Sequence, residues 1–129
     1  MINELVEKAL EAREKAYAPY SKFKVGTALL TANGKIYTGC NVENASYPVG
    51  ICAERVAVSK AVADGEKKFI VIAVVGSGEN YCMPCGMCRQ FMAEFCKEDF
   101  EIIVAKGIDD YKIMKIGELL PYTFDLCKG

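Results

Sequence analysis

Histidine is absent from all 129 residues, and so is tryptophan. Without imidazole there are no Ser–His or Cys–His nucleophilic pairs and no His-ligated metal sites. A general base must then be a carboxylate, and a zinc site must be built mainly from thiolates. A basic surplus is also missing. The 16 Lys and Arg residues face 17 Asp and Glu, for a net charge of -1. Nucleic-acid grooves normally carry a positive bias, so this balance argues against one and leaves a small substrate open. Long apolar runs are lacking too. The longest, Phe69 to Gly76, is far shorter than the roughly 20 residues that span a bilayer as a helix. The opening stretch, Met1-Ile2-Asn3-Glu4-Leu5-Val6-Glu7-Lys8, is broken by charge every few positions, so it does not read as a signal peptide. No linker, repeat or low-complexity tract stands out. These absences predict one compact domain over residues 1–129, in the cytoplasm, with no nucleic-acid or membrane partner.

Cysteine, by contrast, is plentiful, with seven copies. Without an export signal, metal binding or a reactive thiol is favoured over disulfides. A chain of this length can bury a core without covalent staples.

Hydrophobic spacing outlines the fold. Ile2, Leu5, Val6, Ala9 and Leu10 recur at helical intervals, and Pro19 bounds that helix. Val25–Thr31 and Lys35–Val42 flank Ala32-Asn33-Gly34, which predicts a β-hairpin with an Asn-Gly turn. Ala53–Ala63 has helix-forming composition and stops at Asp64-Gly65. Phe69–Val75 is a continuous β-branched run, hence a central buried strand. Cys88, Phe91, Met92 and Phe95 return to helical spacing, and Phe100–Ala105 reads as another strand. Ile113–Ile116 is expected as a short last strand, and Gly117–Leu120 as a helical turn closed by Pro121. The pattern implies an α/β fold, a mixed sheet with helices packed on its faces.

Two motifs carry chemistry: Cys52-Ala53-Glu54-Arg55 and Pro84-Cys85-Gly86-Met87-Cys88-Arg89-Gln90. Each falls where a helix begins. Free N–H groups and the positive dipole end stabilise thiolates there. Cys85 and Cys88, three apart, can aim both sulfurs at one point, and Cys52 opens the other helix. Three converging thiolates with one open position make a catalytic zinc site rather than a closed structural one. Arg55, one turn into its helix, is placed to donate to the ligand sulfurs and offset their charge. Glu54 on its own would pass as an ordinary first-turn glutamate. Beside three cysteines, in a chain without histidine, it is the candidate general base.

Cys-Ala-Glu followed by Pro-Cys-x-x-Cys resembles the zinc nucleoside deaminases. The stretches Tyr20-Ser21-Lys22-Phe23-Lys24-Val25-Gly26, Gly39-Cys40-Asn41-Val42-Glu43-Asn44-Ala45-Ser46-Tyr47 and Glu118-Leu119-Leu120-Pro121 are similar to the short homotetrameric cytidine deaminases. The likeness runs in order from about Leu5 to Phe124. It implies a three-layer α/β/α sandwich with a five-stranded mixed sheet. One Zn²⁺ per subunit would be held by Cys52, Cys85 and Cys88, with Glu54 as proton shuttle. Asn41 and Glu43 would bind the ribose 3′-hydroxyl, and the Ala53 backbone would meet the pyrimidine edge. Phe23 would pack on the nucleoside, Tyr47 would contribute near the sugar across an interface, and Phe124 would reach a neighbouring subunit's site. The implied activity is hydrolysis of cytidine and deoxycytidine to uridine or deoxyuridine and ammonia, in pyrimidine salvage, by a homotetramer. A carboxylate at Glu43 would repel a phosphate, which favours nucleosides over nucleotides.

The rival readings are an antibiotic deaminase of the blasticidin type, a nucleic-acid editing enzyme, and a non-catalytic zinc or iron–sulfur module. The third would need Cys82 as a ligand. Cys82 lies outside the motif and reads as a spare thiol, while Cys40, Cys96 and Cys127 read as small packed residues.

Overall fold

Alternation along the Phe69–Gly76 run decides the architecture. Val71, Ala73 and Val75 pack into one apolar cluster, and Ile72 and Val74 into another. A strand buried on both faces needs a layer above and a layer below. In the computed structural model, which describes residues 1–126, this run is β3 (Phe69–Gly76). The other elements are α1 (Ile2–Arg13), β1 (Val25–Thr31), β2 (Ile36–Cys40), α2 (Ala53–Ala63), α3 (Gly86–Ala93), β4 (Glu101–Gly107), β5 (Asp110–Lys115) and α4 (Ile116–Leu119).

The five strands form one sheet in the order β2-β1-β3-β4-β5. β3 and β4 run parallel, joined through α3, and every other pairing is antiparallel. The sheet is therefore mixed, as expected, with the last strand antiparallel to β4. On one face Leu5, Val6 and Ala9 of α1 pack on Ala28, Val71, Ala73, Val75 and Ile103. On the other face Ala57, Val58 and Ala61 of α2, with Cys88 and Met92 of α3, pack on Leu29, Ile72, Val74, Ile102 and Val104.

Two strand glycines let the helices sit close. A Cβ on Gly26 would lie 2.0 Å from the Ala9 carbonyl oxygen of α1. One on Gly39 would lie 2.4 Å from the Ala53 carbonyl oxygen of α2. Thr27, paired with Gly39, fixes the same spot by donating its hydroxyl to the Ala53 carbonyl at 3.0 Å.

Several boundaries differ from the sequence expectations. α1 stops at Arg13, well before Pro19. Tighter turn bonds from Lys15 to Ala12 and from Ala16 to Arg13 end it, and Tyr17 then bridges to Val42. β2 ends at Cys40 rather than Val42, because Val42 turns away to bridge Tyr17 and Ile51. The last strand is Asp110–Lys115, not Ile113–Ile116. Ile116 is buried and opens α4, its amide bonded to the Phe100 carbonyl. The Asn33-Gly34 turn forms as expected, with Gly34 at φ +83°. Cys127 lies outside the described residues. Among the described residues, no helix is long and apolar enough to cross a membrane.

Candidate active site

The antiparallel β1–β3 pairing puts the start of β1 against the end of β3, Val25 opposite Gly76. α2 and α3 both begin at this end of the sheet, with Cys52 and Cys85 as their N-caps. Neither side chain is used for capping, so both sulfurs are free to face outward. Their carbonyls take the first helical bonds, from Val56 and Arg89. Cys88 sits in the first turn of α3.

The Cys52 and Cys85 sulfurs are 3.8 Å apart, and those of Cys85 and Cys88 3.4 Å. All three lie within 4.8 Å of one another, the one such ligand group among the described residues. Tetrahedral zinc with bonds of about 2.3 Å to sulfur needs sulfurs roughly 3.8 Å apart, so the spacing fits. Cys88 is buried, Cys52 half-buried and Cys85 exposed, so the cluster opens on one side. The three cysteines are positioned to hold one metal ion, and an all-thiolate donor set suits zinc. Cys82 is not part of the group. It is half-buried and packs on the core, and burial pushes its thiol up to about 11. Cys40 and Cys96 are likewise partly buried, away from the cluster.

Arg55 supplies the offsetting charge. Its Nη2 donates to the Gly50 carbonyl at 3.2 Å and approaches the Cys52 sulfur at 3.9 Å. Its Nε is buried without a partner among the described residues. Cys52 holds a negative charge more easily than Cys88. A hydrogen bond from Cys88, against the cost of burial and with help from Arg55, brings it down to about 5. Cys88, which donates that bond and is buried, is held strongly protonated when no metal is bound. Glu54 is only 4% exposed. Burial pushes its carboxyl up to about 7, opposed by a backbone hydrogen bond and reinforced by the charge on Cys52. A carboxyl poised there takes up and gives back a proton near neutrality.

A pocket of about 500 Å³ opens beside Cys52 and Arg55, walled by Tyr20, Ser21, Asn41, Glu43 and Tyr47. Tyr20 and Tyr47 meet edge to face, 6.1 Å between centroids. Asn41 is already engaged: its Oδ1 accepts from the Val25 amide at 2.8 Å, and its Nδ2 donates to the Phe23 carbonyl at 2.9 Å. Glu43 accepts the Tyr20 and Ser21 amides at 3.0 and 3.1 Å, and the Ser21 hydroxyl as well. The Ser21 hydroxyl foremost, then its amide, hold the Glu43 carboxyl below the usual range. Ser21 and Tyr20 were not singled out from the sequence, although both lie in the Tyr20–Gly26 motif.

Phe23 stands outside this pocket's lining. Its ring lies against the end of β3, where a Cβ on Gly76 would come within 2.8 Å of its Cζ. Ala53 is wholly buried, its carbonyl bound by Thr27. Phe124 is elsewhere, 69% exposed on a second cleft between the end of α3, α4 and the chain's tail. That cleft is larger, about 970 Å³, but none of the cysteine ligands lines it, so the smaller pocket is the candidate site. The chain does not bring Phe124 to its own pocket.

Residues 1–104 match the family model described as the cytidine and deoxycytidylate deaminase zinc-binding region. The chain is 45% identical over 123 residues to a cytidine deaminase of Sporosarcina psychrophila, covering 95% of this chain and 90% of that one. It is 44% identical over 120 residues to a cytidine deaminase of Halalkalibacterium halodurans, covering 93% and 91%. Its structure superposes on the crystal structure of a cytidine deaminase from Burkholderia pseudomallei with a TM-score of 0.89, at 50% identity, covering 94% of this chain and 97% of that one.

Proposed function

The chain belongs to the cytidine and deoxycytidylate deaminase zinc-binding family, and from that premise we propose that it hydrolyses cytidine and deoxycytidine to the uracil nucleoside and ammonia, in pyrimidine salvage. One observation carries the reading. The three cysteine sulfurs converge at the start of two helices, with the buried Glu54 in the first turn of α2. Bound there, zinc supplies Lewis acidity, which lowers the pKa of a water from about 16 toward about 7.

The rest follows from the chain's own groups. Glu43 and Asn41 receive the sugar and set the base against the start of α2. Water adds at C4 of the pyrimidine. Glu54 takes one proton from the water and carries it to N3; it then takes the proton of the new C4 hydroxyl and delivers it to the amine, so that the C4–N bond breaks as the C4 carbonyl forms and ammonia leaves. Arg55 balances the thiolate charge throughout. Atoms balance as cytidine plus water giving uridine plus ammonia.

The family's description also covers deoxycytidylate. A carboxylate kept ionised on the pocket wall favours a sugar hydroxyl, which donates, over a phosphate, which only accepts. We assign nucleosides on this ground. The test is release of uridine and ammonia by the zinc-loaded protein, run in parallel with deoxycytidylate. Turnover of cytidine at higher kcat/KM than the nucleotide is expected. Turnover of the nucleotide alone would overturn the substrate assignment and leave the deaminase chemistry standing.

The same proposal includes a homotetramer with Phe124 and Tyr47 working across interfaces. It also includes the cytoplasm, whose reducing conditions keep ligand thiols available. Recovery of a tagged chain from the cytosolic fraction checks the compartment.

A further inference from the structure

Two side chains of the pocket wall hold the loop before β1: Asn41 bonds the Phe23 carbonyl and the Val25 amide, and Glu43 binds the turn ahead of them. Three donors converge on the Glu43 carboxylate: the amides of Tyr20 and Ser21 on Oε1, and the Ser21 hydroxyl on Oε2. The Ser21 hydroxyl is itself oriented. Its oxygen accepts the Phe23 amide at 3.0 Å, which leaves its proton to point at Glu43. That return bond spans Lys22, a non-glycine residue at φ +61°, a left-handed conformation that L side chains adopt only at a cost. The turn therefore keeps an unfavourable backbone geometry that brings the hydroxyl between the carboxylate and the Phe23 amide. Ser21 and Glu43 both line the pocket.

We propose that Ser21 is a positioning residue for the substrate's sugar: its hydroxyl fixes the rotamer of the Glu43 carboxylate, so that the oxygens face the pocket as an acceptor for a sugar hydroxyl. The inference rests on the nucleoside reading given above. A free glutamate at this half-buried place would sample several rotamers, and ordering it on binding would cost affinity. Ser21 removes that cost beforehand. It touches neither the thiols nor Glu54, so its effect belongs to binding and not to the chemical step.

Steady-state kinetics on cytidine test this with Ser21→Ala, Ser21→Thr, Glu43→Gln and the Ser21→Ala/Glu43→Gln double variant, each zinc-loaded and checked for an unchanged melting profile. Ser21→Ala is expected to raise KM about tenfold with kcat within about threefold, the scale of one charge-assisted hydrogen bond partly exposed to water. Ser21→Thr keeps the hydroxyl and restores KM. In the Glu43→Gln background, adding Ser21→Ala raises KM less than about twofold, because its target is already altered. An unchanged KM for Ser21→Ala overturns the role. Additive effects in the double variant also overturn it, since Ser21 would then act through the Phe23 turn alone. If the unaltered chain does not turn over cytidine, the substrate reading falls, and the role of Ser21 in it falls too. If it does, only the Ser21 assignment is at stake.

Discussion

Glu54 carries a carboxyl that the fold has taken almost entirely out of water, and its neighbour Cys52 carries the opposite kind of shift. In the metal-free protein the two act against each other on stability. Glu54 is raised from 4.5 to about 7, so its contribution is present below pH 4.5 and lost as pH rises through about 7. Cys52 is lowered from 9 to about 5, so its contribution is present above pH 9 and lost as pH falls through about 5. Cys88 is raised above its ordinary 9 and matters only at higher pH. Between pH 5 and 7 the two terms offset, and from 7 to 9 the Cys52 term stands alone. Urea midpoints measured in chelator and reductant are therefore expected to stay level from pH 5 to 7 and rise from 7 to 9. Glu54→Gln, which removes the opposing carboxyl, should rise from pH 5 onward, and identical profiles for the two proteins would refute the pairing. The same variant, loaded with zinc, is expected to lose about 10²–10⁴-fold in kcat while retaining the metal, read by turnover and metal content. At this scale much of the site was legible in the sequence. Without histidine, the spacing of Cys52, Cys85 and Cys88 left few other metal sites, and Glu54 followed. Ser21 was not legible, because an exposed serine in a loop has no periodicity, and its importance lies in a carboxylate far along the chain.

Helix placement turns on close approach at two strand positions. Gly26 faces α1 and Gly39 faces α2, on opposite sides of the sheet, since Gly39 is paired with Thr27 and not with Gly26. At either position the nearest atoms an added methyl would meet are backbone, which cannot swing away. Overpacking of this kind costs about 1–3 kcal/mol or more. The functional consequences should nevertheless differ. Gly39→Ala presses on the Ala53 carbonyl, and so displaces the start of α2 with Cys52 and Glu54. Gly26→Ala lifts α1, which holds none of the ligands. Both variants are expected to melt lower, and only Gly39→Ala to bind zinc more weakly in a chelator competition. Equal weakening in both would show that the two layers are not independent. The central strand, the hairpin and the two ligand-bearing helices were readable from local pattern. The start of β5 was not, because Asp110, Tyr111 and Lys112 lie on an exposed edge and carry no burial signal. Nor were the seats at Gly26 and Gly39, which depend on partners remote in sequence.

Around the pocket, one chain leaves more apolar surface in water than its own packing requires. Tyr17, Tyr47, Val49 and Met87 are all more than half exposed, although Tyr47 and Met87 line the pocket and Val49 follows Tyr47 in the same short turn. Phe124 and Leu126 are exposed at the other cleft. Exposed apolar side chains gathered beside a pocket suit a surface that a partner covers. A pocket open on that side also admits the water that a hydrolytic site must control. A second copy of the chain would answer both needs, and this exposure is what supports the homotetramer proposed above. Light scattering behind size exclusion is expected to give four times the 14.2 kDa of one chain. Val49→Asp, which places a charge on the turn next to the pocket without altering a ligand, Glu54 or Glu43, should lower that mass. It should retain zinc, because Cys52, Cys85 and Cys88 all come from one chain. On the proposed assembly, its kcat/KM for cytidine should fall with the mass, since each pocket would then lose a wall supplied by its neighbour. A dissociated Val49→Asp chain with full activity would show that one subunit completes the site alone, and the exposed aromatics would then need another partner.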